Sequence, residues 1–392
     1  MQQNIWFTPE GIEDLVPEQA LKLEYYRRQL LDGFESSGFE LVLPPIAEFT
    51  DSLLTGTGRL LAVDTCRFTD QDSGKMMGVR ADMTPQVARI VNHPIFADKS
   101  LVRLCYVGEV LKTHNNKAKG SRSPIQVGVE LFGDTGVESD IEVIATMLSS
   151  LNALGLDNLT LSLGHVDIVA KLMQVANFNV ANSAKLIDIL QRKAVPEYNS
   201  FIAELELNSQ LTQAFKGLLG LCGDAQTVLK SGQELLAGVS VEIDEGLSRL
   251  SKIINYFEIY SKGLILHLDL TDLRGFDYHT GVIFSCYAAD KKLYRIAKGG
   301  RYDGIGAEFG TVNAATGFSL DLRSTLDILK DLPVSSKEVV YAPVIADAEL
   351  ALQIAELRKT HVVKYFYQDS DVLSGEKVLS KSSGKWSVSA KI

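Results

Sequence analysis

Residues Leu264 to Arg301 read LILHLDLTDLRGFDYHTGVIFSCYAADKKLYRIAKGGR. An apolar, strand-like run leads into Arg274-Gly275-Phe276-Asp277-Tyr278-His279-Thr280-Gly281. A second strand-like run follows, then a polar turn, then Lys298-Gly299-Gly300-Arg301-Tyr302-Asp303-Gly304. Arginine, aspartate, tyrosine and histidine crowd onto one turn between two strands, with a double glycine read as a further turn beside them. Such a set suits a small zwitterion or a phosphate, because it offers both signs of charge and a forked guanidinium.

At 392 residues the chain exceeds one ordinary domain, so two or three units are expected. Hydrophobic residues make up 46% and charged residues 22%, the balance of a globular protein. A formal net charge of -10 argues against broad nucleic-acid binding, which needs basic surface to displace counterions. No apolar run approaches the ~20 residues of a membrane span. The start, MQQNIWFTPEGIEDL, lacks the basic-then-apolar order of a secretory signal. Cys66, Cys105, Cys222 and Cys286 are scattered, so reduced and largely buried thiols are expected, as in a cytoplasmic protein.

Outward from the opening stretch, Pro17 begins a helix with Leu21, Leu23, Tyr26, Leu30, Leu31 and Phe34 near helical spacing. Phe39–Leu43 is a strand stopped by Pro44-Pro45. Cys66–Thr69 and Lys75–Arg80 form a hairpin. Thr84 caps and Pro85 opens a helix over 86–91. Asp82 just before it either complements the helix's positive end, the commoner use, or faces a ligand's ammonium. Leu101–Thr113 is a long strand. In Ile125–Phe132 the side chains of Gln126, Gly128 and Glu130 point one way. That face is either solvated or the floor of a pocket, and Gly128 favours the pocket by allowing close approach. Val137–Leu154 is an amphipathic helix and Leu159–His165 a strand. A helical insert spans about 166–262. Ala315–Leu320 leads into a helix reaching Leu329. Pro333–Ser336 is a plausible linker to a small α/β unit that ends in a hairpin.

The six histidines are spread out and no metal-ligand spacing occurs, so neither a metal nor a cofactor is expected. No nucleophile elbow is present. What remains is a set of polar residues on strand-like segments: Asp82, Thr84, Gln126, Glu130, Arg274, Tyr278 and His279.

At these residues the chain resembles a known family. TPEGIEDLVP, DQDSGKMMGVRADMTPQ, GVELFG, LRGFDYHTG and KGGRYDG match, in order, the class II aminoacyl-tRNA synthetase catalytic domain in its histidyl-tRNA synthetase form. The resemblance implies an α+β fold with an antiparallel sheet flanked by helices. It implies a core over 1–331, carrying the insert, and a small α/β domain over 337–392. The chain also departs from the synthetase. Lys112 and His114 stand at the motif 2 arginine and glutamate positions, and Ser324 stands where motif 3 has its arginine. Asp82 replaces a glutamate, and His279 a tyrosine. The ATP clamp is therefore lost, while the amino-acid pocket is largely kept.

That combination resembles the ATP phosphoribosyltransferase regulatory subunit family, whose variant forms VRADMTPQVAR, SRxPIQVGVELFG and LRGFDYHTG are closer still. The resemblance implies no catalysis by this chain. It implies partnership with the short-form catalytic subunit, a homodimer within a hetero-octamer, and feedback inhibition by histidine at the first step of histidine biosynthesis. Asp82, Thr84, Gln126, Glu130, Arg274, Tyr278 and His279 would bind histidine. The competing readings are an active histidyl-tRNA synthetase and a paralogue that binds RNA or regulates another enzyme.

Overall fold

The computed structural model describes residues 8–114, 121–276, 278–289, 293–304, 314–332, 337–382 and 384–391. The chain divides into two compact units, Met1–Lys330 and Asp331–Ile392.

The first unit is built on a nine-stranded sheet. From edge to edge its strands are Glu40–Leu41, Val102–Glu109, Ile125–Phe132, Ala315–Asp321, Leu293–Arg301, Val282–Ala289, Leu159–His165, Ile265–Asp269 and Cys222–Asp224. Its central pairs are antiparallel. Two pairs are parallel: Glu40–Leu41 with Val102–Glu109, and Leu159–His165 with Ile265–Asp269. Parallel neighbours require a long crossover, and the helical insert supplies the second one. Six helices lie between those two strands, from Val166–Val175 to Val241–Tyr260. Four of their starts are fixed locally, with the side chains of Asn179, Asn208, Asp224 and Ser240 accepting from the backbone N–H three residues on.

The helix Pro17–Ser36 buries Leu23, Tyr26, Leu30 and Phe34, whereas Leu21 of the expected apolar set is exposed and Leu31 is only partly covered. The helix Val137–Ala153 packs against the strand Ala315–Asp321. A separate three-stranded sheet joins the hairpin Arg67–Thr69 and Met76–Val79 to Ala47–Phe49. The second unit has a four-stranded sheet in the order Val362–Phe366, Val339–Pro343, Lys377–Ser382, Lys385–Ala390. The helix Ala348–Leu357 covers a core of Val340, Ala342, Leu350, Ile354 and Leu379.

Several sequence expectations are corrected. The strand expected over 101–113 ends at Glu109, and the helix expected through Leu329 is the single turn Leu322–Thr325 followed by a 3-10 turn. Gly299-Gly300 lies inside the strand Leu293–Arg301 and makes no turn. A Cβ on Gly299 would sit 2.2 Å from the Gly317 carbonyl, and one on Gly300 would sit 2.5 Å from the His279 ring. Close packing, rather than a bend, excludes side chains there. Cys222 is exposed, not buried. The polar turn near 290–292, Asp277 and the 333–336 linker lie outside the described residues. Among the described residues no helix is long and apolar enough to cross a membrane.

Candidate functional site

A cavity of about 610 Å³ opens on the sheet, within the usual range for small-molecule sites. Asp82, Thr84, Glu130, Arg274, Tyr278 and His279 line it. Gln126 does not. Its Nε2 donates to Asp82 Oδ1 (3.1 Å), and its Oε1 accepts from the Met83 N–H (2.9 Å). It therefore orients Asp82 from behind. Asp82 Oδ1 also accepts the Thr84 N–H at 2.9 Å. The helix-end role expected for Asp82 is present, and the same carboxylate faces the cavity. Thr84 is the first helical residue and does not cap; its hydroxyl turns to the sheet.

The deepest group is Glu130, 1% exposed. Its Oε1 accepts from the hydroxyls of Thr84 (2.8 Å) and Tyr106 (3.1 Å), and its Oε2 accepts from Tyr302. Burial pushes its carboxyl up to about 8, although these hydroxyls pull the other way and nearby Asp82 adds to the rise. The Tyr278 hydroxyl is buried nearby with no hydrogen-bond partner of acceptable geometry among the described residues. An orphaned donor of this kind inside a cavity is a natural ligand contact.

Arg274 and His279 line the same cavity. Arg274 is held by Asp272 and donates to the Tyr287 hydroxyl at 2.8 Å. His279 lies with Nδ1 3.1 Å from the Gly275 carbonyl. A carbonyl only accepts, so Nδ1 carries the proton. Burial pushes this imidazole down to about 4, so it is neutral near pH 7 and its Nε2 is an acceptor. Gly275, at φ 74°, makes the turn possible.

Two expectations about the Ile125–Phe132 strand change. Both of its faces are buried, so the solvated reading fails. The space at Gly128 is filled from within the protein, since a Cβ there would meet the Phe318 carbonyl at 2.4 Å and the Tyr106 hydroxyl at 2.7 Å. Lys112, His114 and Ser324 do not line the cavity. The Ser324 hydroxyl donates to the Asp321 carbonyl. The cations on the cavity wall are Arg274, Arg295 and Lys298. Among the described residues no cluster of three His, Cys, Asp or Glu is placed to hold a metal.

The profile of the Histidyl-tRNA synthetase family matches residues 11–325. An ATP phosphoribosyltransferase regulatory subunit from Hydrogenovibrio crunogenus is 60% identical over the whole of both chains. The chain belongs to the ATP phosphoribosyltransferase regulatory subunit family. A second member, from Thioalkalivibrio sulfidiphilus, is 44% identical over 91% of this chain and 89% of its own. Among solved structures, an ATP phosphoribosyltransferase regulatory subunit/histidyl-tRNA synthetase from Bacillus halodurans superposes with a TM-score of 0.80 at 23% identity, covering 95% and 96% of the two chains. Histidyl-tRNA synthetase from Nostoc gives 0.74 at 19% identity, covering 93% of this chain and 86% of its own. At these identities the superpositions establish the fold, which is of the class II synthetase type. The subunit is regulatory and not the catalytic component of the enzyme.

For this family member, sequence reasoning missed Tyr106, Tyr302 and Gln191. Tyr302 sits in the quoted KGGRYDG motif, which was the available signal. Tyr106 is legible only through its register opposite Gly128. Gln191 has no local signal at all.

Proposed function

We propose that the cavity binds histidine and that occupancy controls a catalytic partner. Asp82 and Glu130 hold the ammonium, with Thr84 as a hydrogen-bond partner and Gln126 acting through Asp82. Arg274 takes the carboxylate. Tyr278 or His279 contacts the imidazole, which can donate its N–H to the bare Nε2 of His279. The observation that carries this reading is one cavity holding two carboxyl groups, a guanidinium, an orphaned hydroxyl and a neutral imidazole acceptor.

The regulatory subunit activates the short-form ATP phosphoribosyltransferase catalytic subunit, which joins ATP to phosphoribosyl diphosphate, and transmits inhibition by histidine. Its dimer forms part of a hetero-octamer in the cytoplasm. A ligand shifts a two-state assembly only by its difference in affinity for the two states. Couplings of this kind are about 1–3 kcal/mol.

Two assays test the reading. Calorimetry with L-histidine on the full chain should show binding, and histidine should inhibit the reconstituted complex. Histidine-dependent ATP–pyrophosphate exchange should be absent. Exchange above background would restore the synthetase reading, which the lost motif 2 and motif 3 arginines oppose.

A further inference from the structure

The helical insert places one residue in the cavity wall. Gln191 is the last residue of the helix Val180–Gln191 and lines the same space as Asp82, Glu130 and Arg274. Two residues later, Lys193 adopts φ 52°. That left-handed conformation closes the helix, with the Ala194 N–H on the Ile189 carbonyl at 3.1 Å.

The Lys193 ammonium lies 2.7 Å from Asp269 Oδ2 and also donates to Thr271 Oγ1. Asp269 is 8% exposed, and its Oδ1 accepts the Thr271 N–H and hydroxyl at 2.9 and 2.6 Å. Burial pushes this carboxyl up, but Lys193 and Thr271 outweigh it and leave it low, so the pair is ionic. Asp269 closes a sheet strand, and the chain runs directly on through Asp272 to Arg274, Tyr278 and His279. One turn of the insert is therefore pinned to the root of the segment that carries Arg274, Tyr278 and His279 to the cavity.

We propose that the 191–193 turn of the insert is part of the effector site: Gln191 contacts the bound amino acid through its side-chain amide, and Lys193 is the positioning residue that sets it there. The inference rests on the reading of the cavity as a histidine site. A neutral amide both donates and accepts, so it can pair with the ligand's carboxylate, ammonium or imidazole. Occupancy then draws on two parts of the chain that are distant in sequence, and the insert becomes the element that registers the ligand.

The test is calorimetric titration of L-histidine into the full chain, with hydrogen exchange read over the insert. Gln191→Ala should weaken binding by about 3- to 10-fold, the span of one neutral hydrogen bond, with an unchanged melting temperature, because the side chain is exposed. Lys193→Met should weaken binding similarly, and Lys193→Arg should recover most of the loss. Histidine should slow amide exchange near residues 186–195 in the wild type and not in Gln191→Ala. Wild-type binding that is unaltered in Gln191→Ala, with exchange in the insert unmoved, overturns the inference and leaves the histidine reading standing. Failure of the wild type to bind histidine overturns both.

Discussion

Thr84 Oγ1 lies 2.8 Å from Glu130 Oε1, and this bond ties the first turn of a helix to the middle of a sheet strand. The Thr84 backbone N–H meanwhile binds Asp82. One residue thus spaces the two carboxyl groups that face the cavity. Thr84→Val keeps the shape and removes the hydroxyl. It should lower stability by about 1 kcal/mol, the net value of such a bond, and weaken histidine binding. Urea denaturation and calorimetry on the same variant separate the two effects.

Asp82 accepts from Thr84 and Gln126 and still faces the cavity. Asp82→Ala should cost about 0.5–2 kcal/mol as a lost helix-end contact. Losing a charge-assisted bond to the ammonium should weaken histidine by about 10- to 100-fold. Activation of the catalytic subunit without histidine should stay near wild type. The inhibition curve of the reconstituted complex measures this, and an unmoved midpoint would place the effector elsewhere.

Glu130 and Gln126 show how far a sequence reaches. Period-2 alternation put both on one face of Ile125–Phe132, and in the structure Glu130 bonds to Thr84 while Gln126 bonds to Asp82. Alternation could not tell that the other face is buried as well. That depends on strand order and on which elements cover the sheet, and both are long-range facts. Gly299-Gly300 misled because glycine serves turns and crowded strands alike, and only the neighbouring Gly317 carbonyl and His279 ring decide between them. Gln191 was illegible because the insert folds back through long-range contacts, such as Lys193 with Asp269, 76 residues apart.

The elevated Glu130 carboxyl has a thermodynamic signature. Burial raises it to about 8 in the folded chain, while an unfolded glutamate ionises near ~4.3. Between these values the folded state retains a proton that the unfolded state has released, so stability falls as pH rises through this window. Below the window both states are protonated and the contribution is constant and full. Glu130→Gln removes the linkage. Its melting temperature should gain on that of the wild type steadily from about pH 5 to pH 8. A difference that stays flat across this range would mean that Glu130 ionises normally. Histidine binding at pH 7 should also release a proton from the wild type and not from Glu130→Gln, read by calorimetry in buffers of different ionisation enthalpy.

Behind the cavity wall, between Gly300 and Tyr302, Arg301 is 1% exposed and pairs with the fully buried Asp140 at 2.9 Å. It also donates to Ser139 Oγ (2.7 Å) and to the carbonyls of Asp134 (2.9 Å) and Gly136 (3.1 Å). Arg249 of the insert reaches Asp140 at 3.2 Å. Burial pushes the Asp140 carboxyl up and the two arginines oppose it. Removing Arg301 alone leaves a buried carboxylate with one partner, and breaking a buried pair in this way costs about 3–5 kcal/mol. Arg301→Met should therefore destabilise the chain by that amount in urea. Arg301→Met combined with Asp140→Leu should recover part of the loss, because the stranded charge goes with its partner. A single-variant cost below about 1 kcal/mol would mean that Asp140 is satisfied without Arg301. Tyr302 donates to Glu130 from the next position along the chain. Loss of Arg301 should therefore also weaken histidine binding, although the arginine does not line the cavity.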